Sequence, residues 1–510
     1  MSKSLSSILT AIPLACLVLL SACNNGVAGS TPGASSGAQP PGGPSIPQPN
    51  VVTACGATVR TAGNYSLDGN LTTPAGAEPC ITIANVNNVT LNCNGNSISG
   101  AGEYGISVLN VNGLTIKNCD VATGIGDGAS VLLSLNNVNG GTVTGSTFGS
   151  NQSNLGGVFI SESSNVTFGS PLPRAPANPS VSATANPAVA AQLSNAPAAS
   201  NTVYGFLSDA NNVGLVIEGN ALTSGTSSAA NPFVIGIFGG KSTHVVNNTV
   251  NGLGNPLPIG ENGNYYYNSV GSDDDILIED ETGPGSLISG NLLVNTFDCG
   301  IETVGFMKDI TLSNNFIDTV GTGIGGWYYL SVSNAEYAQN VLTNIEYMGI
   351  RYARYGGLRA AGARNLPYFF YNIPADMPAE STVNFTQNQF SGNALSQPLV
   401  FLTEQVGSIE AVVYSSLSYA TSPELPGTDP TPEQFITVKN LFANNSFGQV
   451  FRRLTFAGGQ RWTYTSDDVI DGGGNICSGS QTFVPAVSPT FGDQTVALSA
   501  FTPIACGSGN

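Results

Sequence analysis

This chain of 510 residues is poor in charge and has a single histidine. Only 9% of its residues are charged, and 32 acidic residues against 14 basic ones give a net charge of −18 at pH 7. Coulomb repulsion therefore disfavours nucleic acids and anionic lipid headgroups as partners. Because His244 is the only histidine and no Cys-x-x-Cys pair occurs, we expect neither a structural zinc site nor a Ser-His-Asp triad.

Helical periodicity is also missing, and a repeated strand phrase takes its place. Val89–Leu91, Leu114–Ile116, Thr142–Thr144 and Val166–Phe168 begin 25, 28 and 24 residues apart. A repeat of about 20–50 residues indicates a solenoid, in which each unit buries its apolar face against its neighbours. The units are short segments rich in Val, Ile, Thr and Leu, separated by Gly, Asn, Asp and Ser, which predicts strands joined by turns. Coiling such units gives a parallel β-helix.

A second series, of asparagines, accompanies the strand phrase. Stacked coils lie ~4.8 Å apart, so an Asn at the same turn of every coil can form hydrogen bonds up and down the stack. The 63 glycines are consistent with repeated tight turns, because such turns require positive φ. The asparagines of this series are Asn118, Asn220, Asn248, Asn291, Asn315, Asn340, Asn388 and Asn445.

Residues from Cys55 to about Ile350 carry phrases such as ITIANVNNVTLNCNGNSISG and YGISVLNVNGLTIKNCDVATGIG. They resemble the right-handed parallel β-helix proteins of the pectate-lyase-like superfamily. The resemblance implies an all-β fold, a right-handed parallel β-helix wound as a single-stranded solenoid with terminal caps. It does not imply one activity, because the superfamily includes polysaccharide lyases, glycoside hydrolases, epimerases, phage depolymerases and adhesins. The paired-Asp, Gly-His-Gly and Arg-Ile-Lys phrases typical of polygalacturonases are not found here.

The N-terminus has the pattern of an export signal. Residues 1–22 resemble a bacterial lipoprotein signal peptide, because an apolar stretch ends in Leu20–Cys23. Cys23 would then be lipidated; the alternative is an ordinary secretory signal. Residues 23–50 are rich in Gly, Ser and Pro and cannot bury a core, which predicts a flexible linker. These features predict a lipid-anchored protein of the outer membrane or cell surface, bound to the membrane through its anchor.

The rest of the chain is predicted to form one long solenoid. The β-helix is expected over residues 51–480, with an inserted loop at about 170–200 where a Pro/Ala/Ser run interrupts the repeat. Residues 481–510 would cap the open end.

The cysteines are consistent with export. Cys55 with Cys80 and Cys477 with Cys506 are predicted to form disulfides that close the two ends of the solenoid. The other cysteines of the mature chain are predicted to lie in the interior as small apolar residues: Cys93, Cys119 and Cys299.

Four strand phrases align within the segment 265–364, which is richer in acidic, basic and aromatic residues than the earlier coils. Asp275–Glu279, Gly300–Val304, Gly323–Trp327 and Gly349–Ala353 begin 25, 23 and 26 residues apart, so we expect neighbouring rungs of one sheet. If the isoleucine of each phrase points inward, alternation creates two outward rows. The first row is Leu277, Glu302, Gly325 and Arg351, and the second is Glu279, Val304, Trp327 and Ala353.

Glu279 and Glu302 are the predicted catalytic pair. One coil step of ~4.8 Å and two strand residues of ~6.6 Å place their Cβ atoms ~8 Å apart. Inverting glycosidases separate their two carboxyl groups by about 6.5–9.5 Å. The alternative is that outward glutamates of an acidic β-helix are only solvated. Aromatic faces and a guanidinium beside the pair are predicted to bind the sugar: Trp327, Tyr328, Arg351 and Tyr352.

Asp273, Asp274 and Asp275 form the densest acidic run and are a candidate Ca²⁺ site, since calcium prefers carboxylate oxygens. Pectate lyases of the superfamily are implied to hold calcium in this way. A lyase would also need a base, and Arg351 and Arg354 are the neighbours in register. The alternative is a solvated acidic turn.

The sequence therefore predicts a surface-anchored β-helix lipoprotein that contacts a polysaccharide. A hydrolase using Glu279 and Glu302 is favoured over a lyase. The alternatives are a non-catalytic adhesin and a structural cell-envelope protein.

Overall fold

The structure, a computed structural model, confirms the all-β parallel β-helix. Among the residues that it describes, none forms a helix with the length and apolar character needed to span a bilayer. The described residues are 50–76, 78–102, 104–123, 131–149, 157–170, 200–209, 211–224, 231–254, 271–279, 282–345, 348–352, 354–355, 380–386, 388–391, 416–420, 437–443, 446–447, 451–452, 462–466, 468–474, 476–477, 482–483, 490–491 and 494–495.

Strands follow one another along the whole described chain, and thirty-three of them pair in one assembly whose ladders are all parallel. The first twelve are β1 (Asn50–Val52), β2 (Ala57–Val59), β3 (Gly63–Leu67), β4 (Leu71–Gly76), β5 (Ile81–Asn92), β6 (Ser97–Gly102), β7 (Tyr104–Lys117), β8 (Asp120–Thr123), β9 (Val131–Thr144), β10 (Thr147–Phe148), β11 (Val158–Ser161) and β12 (Ser164–Gly169). The next fifteen are β13 (Thr202–Tyr204), β14 (Phe206–Ser208), β15 (Val216–Glu218), β16 (Ala221–Thr223), β17 (Asn231–Phe238), β18 (His244–Val246), β19 (Thr249–Asn251), β20 (Ser272–Glu279), β21 (Ser286–Ser289), β22 (Leu292–Lys308), β23 (Ile310–Ser313), β24 (Phe316–Ser333), β25 (Ala335–Ala338), β26 (Val341–Thr343) and β27 (Met348–Tyr352).

The remaining strands lie nearer the C-terminus. Six of them, β29, β30, β32, β33, β36 and β37, continue the parallel assembly to Cys477, and the others form three small separate sheets. Their bounds are β28 (Arg354–Tyr355), β29 (Glu380–Thr386), β30 (Gln389–Ser391), β31 (Ser416–Ala420), β32 (Thr437–Ala443), β33 (Ser446–Phe447), β34 (Phe451–Arg452), β35 (Trp462–Ser466), β36 (Asp468–Gly473), β37 (Ile476–Cys477), β38 (Thr482–Phe483), β39 (Thr490–Phe491) and β40 (Gln494–Thr495).

One row of apolar side chains runs through the interior and shows how the coils stack. Each member pairs in register with the next, from the first coils to the segment of interest. All of them are 0–1% exposed, so this row forms a continuous core along the solenoid. The row is Ile81, Ile106, Leu133, Val158, Phe206, Ile235, Ile276, Ile301 and Ile324.

The long strands of the N-terminal coils bend at asparagines. Asn85, Asn110 and Asn137 occupy equivalent corners of β5, β7 and β9 with φ of 52°, 53° and 52°. Asn tolerates this left-handed conformation better than most residues, which explains its recurrence at the corners. These exposed amides also bond along the stack: Asn110 Nδ2 donates to Asn85 Oδ1 at 2.9 Å, and Asn137 Nδ2 donates to Asn110 Oδ1 at 2.8 Å.

A buried asparagine ladder holds the other coils together. Its members are 0–2% exposed, and the side-chain amide of each donates to the side-chain oxygen of the next at 2.9–3.1 Å. Six members were predicted and are confirmed, whereas Asn201 was missed. Asn118 belongs to an exposed pair with Asn92 instead, and Asn445 lies outside the described residues. The ladder is Asn201, Asn220, Asn248, Asn291, Asn315, Asn340 and Asn388.

Disulfides take the place of amides in the first coils. The predicted Cys55–Cys80 bond is present, with Cα atoms 4.2 Å apart. The prediction for Cys93 and Cys119 is wrong, because they form a second disulfide with Cα atoms 4.8 Å apart. Equivalent positions of stacked coils lie close enough for a disulfide, a consequence of stacking that the sequence-based prediction overlooked.

The corner of Cys119 is the same corner that carries the asparagine ladder. The Cys119 N–H donates to Ser146 Oγ at 3.1 Å, and the Ser146 N–H donates to Asn201 Oδ1 at 3.0 Å. The same pattern continues where the Asn220 N–H donates to Asn248 Oδ1 at 3.0 Å. The Cys93–Cys119 disulfide therefore links the first coils at the same corner where the asparagine ladder links the later coils.

Two other predictions fall outside the described residues. The predicted Cys477–Cys506 disulfide involves Cys506, which lies outside the described residues. The predicted loop at 170–200 also lies largely outside them, although Gly169 ends one strand and Thr202 begins another that pairs with Thr147 of the preceding coil.

The ladder predicts a large effect of a single amide. Asn315→Ala removes the acceptor of the Asn291 backbone N–H and of one Asn291 amide proton, at 3.2 and 3.0 Å, and the donor to the Ile288 carbonyl at 2.9 Å. We expect the free energy of unfolding to fall by about 2–4 kcal/mol, because each orphaned buried polar group costs about 1–3 kcal/mol. Denaturant unfolding would measure this. The exposed Asn112, whose amide donates to Asn87 at 2.8 Å, is the control, and Asn112→Ala is expected to cost about 0.5 kcal/mol. Equal losses in the two variants would contradict a stabilising role for burial of the ladder.

Candidate functional site

The strand register places Glu302 where the sequence predicted it. Glu302 of β22 pairs with Leu277 of β20 on one side and with Gly325 of β24 on the other, and Gly325 pairs with Arg351 of β27. Glu302 is half-buried. Because its neighbour Ile301 is 0% exposed and points inward, alternation directs Glu302 to the outer face.

Glu279 lies in the predicted second row, but its environment differs from the prediction. It pairs with Phe238 and Val304, which places it one coil and two residues from Glu302, ~8 Å between Cβ atoms. Its side chain is only 3% exposed and Val304 only 7%. The expectation of an open carboxylate at Glu279 is therefore wrong, because Glu279 and Val304 are both buried, whereas Glu302 is half-buried between the buried residues Leu277 and Gly325.

The predicted sugar-binding residues occupy the neighbouring rungs by backbone position. Trp327 pairs with Val304, and Tyr352 pairs with Gly326 in the next strand. Tyr328 follows Trp327 within β24. The side chains of Trp327, Tyr328, Arg351 and Tyr352 lie outside the described part of the chain, as does Ala353.

Glu302 belongs to a group of four carboxyl groups, called here the carboxyl cluster: Asp273 and Asp274 of β20 with Asp298 and Glu302 of β22. The Asp274 side chain is 2% exposed and is hydrogen-bonded to the Glu302 side chain. Its Oδ1 also accepts the backbone N–H of Cys299 at 3.2 Å. The buried Cys299 thiol donates to Asp298 Oδ1 at 3.4 Å. Cys299 therefore holds two members of the cluster, Asp274 through its backbone N–H and Asp298 through its thiol.

Burial and mutual repulsion govern the protonation of the cluster. Burial raises the pKa of Asp274 well above its ordinary value, and the charge of Glu302 and the hydrogen bond to it raise this pKa further. The pKa of Asp273 is raised by burial first and then by the charges of Asp298 and Glu302. A hydrogen bond between two carboxyl groups requires a proton on one of them, and the raised pKa of the more buried Asp274 favours it as the donor.

Asp275 is separate from the cluster. It is 0% exposed, and neither of its oxygens makes a hydrogen bond of good geometry. The backbone N–H groups of Gly252 and Val294 face the carboxyl group and lower its pKa slightly, but the Gly252 N–H donates to the Val294 carbonyl at 3.0 Å instead. Burial therefore dominates and raises the pKa of Asp275 well above its ordinary value.

The predicted calcium site is not formed by Asp273, Asp274 and Asp275. Asp274 is hydrogen-bonded to Glu302, whereas the Asp275 carboxyl group faces Gly252 and Val294, so the three do not converge. Within the described ranges, no group of three or more His, Cys, Asp or Glu side chains is arranged to hold a metal ion. Simple proximity in sequence misled the prediction, since successive side chains of a strand diverge.

Sequence reasoning did not assign Asp298 and Asp274 to one site with Glu302. The ladder between β22 and β24 is irregular between Thr296 and Cys299, so alternation counted from Ile301 does not extend to Asp298. The available signal was Asp298 itself, an acidic residue three positions before Ile301 and next to Cys299.

Comparisons with known proteins give only distant structural likenesses. No protein-family model and no curated protein matches the sequence. The chain is similar to an exopolygalacturonase from Thermotoga maritima, with 8% identity and a TM-score of 0.32 over 72% of this chain and 82% of that one. It is also similar to the periplasmic alginate epimerase AlgG, with 13% identity and a TM-score of 0.29 over 66% and 73% of the two chains. A GH87 alpha-1,3-glucanase catalytic domain in complex with tetrasaccharides gives 13% identity and a TM-score of 0.30 over 72% and 70%. Likeness at this level carries no inference about activity.

The raised pKa of Asp275 predicts a dependence of stability on pH. The folded protein holds this proton more tightly than the unfolded chain, whose carboxyl group has a pKa near 3.8. The contribution to stability is therefore complete below that pKa and is lost as pH rises through the raised value. Asp275→Asn removes this loss, so its free energy of unfolding is expected to fall less steeply than that of the wild type as pH rises above about 4, by up to ~1.4 kcal/mol per pH unit.

Denaturant unfolding at several pH values would measure the difference. The exposed Asp120, in β8 of the same assembly, provides the control variant Asp120→Asn. Parallel pH profiles for the wild type and Asp275→Asn would contradict the prediction.

Proposed function

We propose that this protein acts on polysaccharide chains and that Glu302 is the carboxyl group that meets the glycosidic bond. The observation that carries the proposal is the hydrogen-bonded pair of carboxyl groups formed by the half-buried Glu302 and the buried Asp274. Such a pair retains one proton at a pH where isolated carboxyl groups have lost theirs. Asp274 holds this proton in the resting pair, and Glu302 takes it through their hydrogen bond as it protonates the glycosidic oxygen, which leaves Asp274 ionised.

The geometry around Glu302 supports access by a chain-like ligand. Glu302 is half-buried, and its neighbour on the next rung is Gly325. Gly325 is itself buried, but it has no side chain that would stand between Glu302 and a ligand on the next rung. The stacked coils present an extended face, which suits a polymer better than a small molecule.

The second carboxyl group of the reaction distinguishes two mechanisms. The Cβ atom of Glu279 lies ~8 Å from that of Glu302. This spacing allows the separation of about 6.5–9.5 Å between carboxyl groups that inverting enzymes use, provided that the covered Glu279 side chain becomes accessible when substrate binds. Asp298 is the alternative, because it belongs to the carboxyl cluster and is half-buried like Glu302. Hydrolysis is favoured over β-elimination, since a lyase must stabilise the carboxylate of a uronate and these four carboxyl groups repel it.

A binding protein without catalysis is the second candidate, and one observation favours it. Glu279 is 3% exposed, so the predicted pair does not face one open groove in this structure. In that case the face around Glu302 would hold the glycan, and the protein would act as an adhesin.

The two candidates predict different results for one set of variants. Wild type, Glu302→Gln, Glu279→Gln and Asp298→Asn would be incubated with polygalacturonate, alginate and an α-1,3-glucan, and the release of reducing ends would be measured. We expect Glu302→Gln to lower the rate at least about 100-fold, the usual contribution of a positioned acid or base. The second variant with a comparable loss identifies the partner carboxyl group.

Lys117, half-buried on the distant strand β7, provides the control variant Lys117→Gln. Binding of a glycan without release of reducing ends would support the adhesin. A full rate in Glu302→Gln would overturn the role of Glu302.

We also propose that the protein is anchored through a lipid on Cys23. The proposal rests on the apolar segment that ends at Leu20–Cys23 and on the Gly/Ser/Pro linker that follows. Cys23→Ser is expected to shift the protein expressed in a bacterial host from the detergent phase to the aqueous phase in detergent partitioning, because it loses its acyl chains. Cys16→Ser is the matched control. Retention of Cys23→Ser in the detergent phase would contradict the anchor.

A further inference from the structure

We infer that Tyr337 is a positioning residue for the Glu302 site, acting across the interior of the solenoid through Thr303. The inference rests on the function proposed above. It concerns a buried network behind the sheet, whose members Tyr337, Thr303 and Gly325 do not belong to the carboxyl cluster.

The network joins three strands. Tyr337 of β25 is 2% exposed and its hydroxyl group is hydrogen-bonded to Thr303 of β22. Thr303 is 0% exposed, and its Oγ1 donates to the carbonyl oxygen of Gly325 in β24 at 3.1 Å. Because the threonine hydroxyl has a single proton and gives it to Gly325, the hydroxyl of Tyr337 donates to Thr303. The order is thus Tyr337, Thr303, Gly325.

Thr303 and Gly325 both lie next to Glu302, the first along the chain and the second across the ladder. Thr303 follows Glu302 in the chain and faces inward where Glu302 faces outward, while Gly325 is the partner of Glu302 in the ladder. Fixing Thr303 against Gly325 therefore fixes the rung on which the Glu302 carboxyl group stands. A buried hydrogen-bond series of this kind is rigid, since each member restricts the next.

The other end of the network joins the asparagine ladder. The Tyr337 carbonyl oxygen accepts the side-chain amide of Asn388 at 2.8 Å. Tyr337 is therefore held at its backbone by the ladder and at its hydroxyl group by the strand under the site. Burial raises the pKa of Tyr337, so its hydroxyl group stays protonated and remains a donor at neutral and moderately alkaline pH.

The test compares variants that remove or keep one hydroxyl group. Tyr337→Phe and Thr303→Val break the network, and Thr303→Ser keeps the hydroxyl group. Tyr65→Phe is the matched control, because Tyr65 is 9% exposed and its hydroxyl group donates to the Thr61 carbonyl at 2.9 Å in the first coils, far along the chain from the site. Thermal unfolding would verify that each variant is folded.

The readouts are kcat and KM on whichever of polygalacturonate, alginate or α-1,3-glucan the wild type cleaves, together with amide hydrogen exchange in peptides covering 299–304 and 322–327. We expect Tyr337→Phe and Thr303→Val to lower kcat about tenfold with KM nearly unchanged, since a small displacement of a reacting group acts on the chemical step. Exchange in the two peptides should be faster, whereas Thr303→Ser and Tyr65→Phe should resemble the wild type in both readouts.

Two kinetic results would overturn the inference. Wild-type kcat in a folded Tyr337→Phe or Thr303→Val overturns the inference, as does an equal loss in Tyr65→Phe. If Tyr337→Phe does not fold, the comparison of Thr303→Val with Thr303→Ser carries the test. If the wild type cleaves none of the three polysaccharides, hydrolysis fails as the proposed function, and unchanged hydrogen exchange in Thr303→Val then overturns the network separately.

Discussion

The hydrogen-bonded register between successive coils is the constraint on which the rest of this structure depends. Parallel ladders fix equivalent residues of neighbouring coils about 4.8 Å apart, and the core row from Ile81 to Ile324 follows from that spacing. The buried ladder from Asn201 to Asn388 reinforces the same register from the side chains. A slip of one residue would exchange the two faces of a strand, so that Glu302 would enter the core and Ile301 would leave it.

This stacking also explains the unusual electrostatics of the candidate site. A solenoid turns residues that are about 25 positions apart in the chain into neighbours, and here it brings Asp273 and Asp274 to Asp298 and Glu302. The resulting repulsion and burial disfavour the charged forms and destabilise the fold locally at neutral pH. Raised pKa values in one cluster of carboxyl groups are also found at many catalytic sites, where burial and like charges disfavour ionisation. The network through Tyr337 and Thr303 lies directly behind this face and supplies rigidity there.

Prediction from the sequence succeeded where the repeat is regular. Offsets of 25 and 23 residues gave the pairing of Ile276 with Ile301 and of Ile301 with Ile324, and therefore the row of Glu302. Prediction failed where the surroundings of a side chain, and not only its direction, decided the outcome. Cys93 and Cys119 were assigned to the core as thiols because inward direction was known but distance along the stack was not considered. Glu279 was expected in the open because alternation gives the direction of a side chain and says nothing about what covers it.

The sequence by itself determined the architecture, because a short-range pattern repeated at a fixed period leaves the chain one way to bury its apolar face and pair its strands. It also determined the row to which each regular strand residue belongs. Only the tertiary structure decided which carboxyl groups meet, that Asp275 stands apart from Asp274, and that Tyr337 reaches Thr303. These contacts depend on an irregular ladder near Cys299 and on side chains that meet across the interior of the solenoid. Neither feature repeats from coil to coil, so a repeat in the sequence cannot predict it.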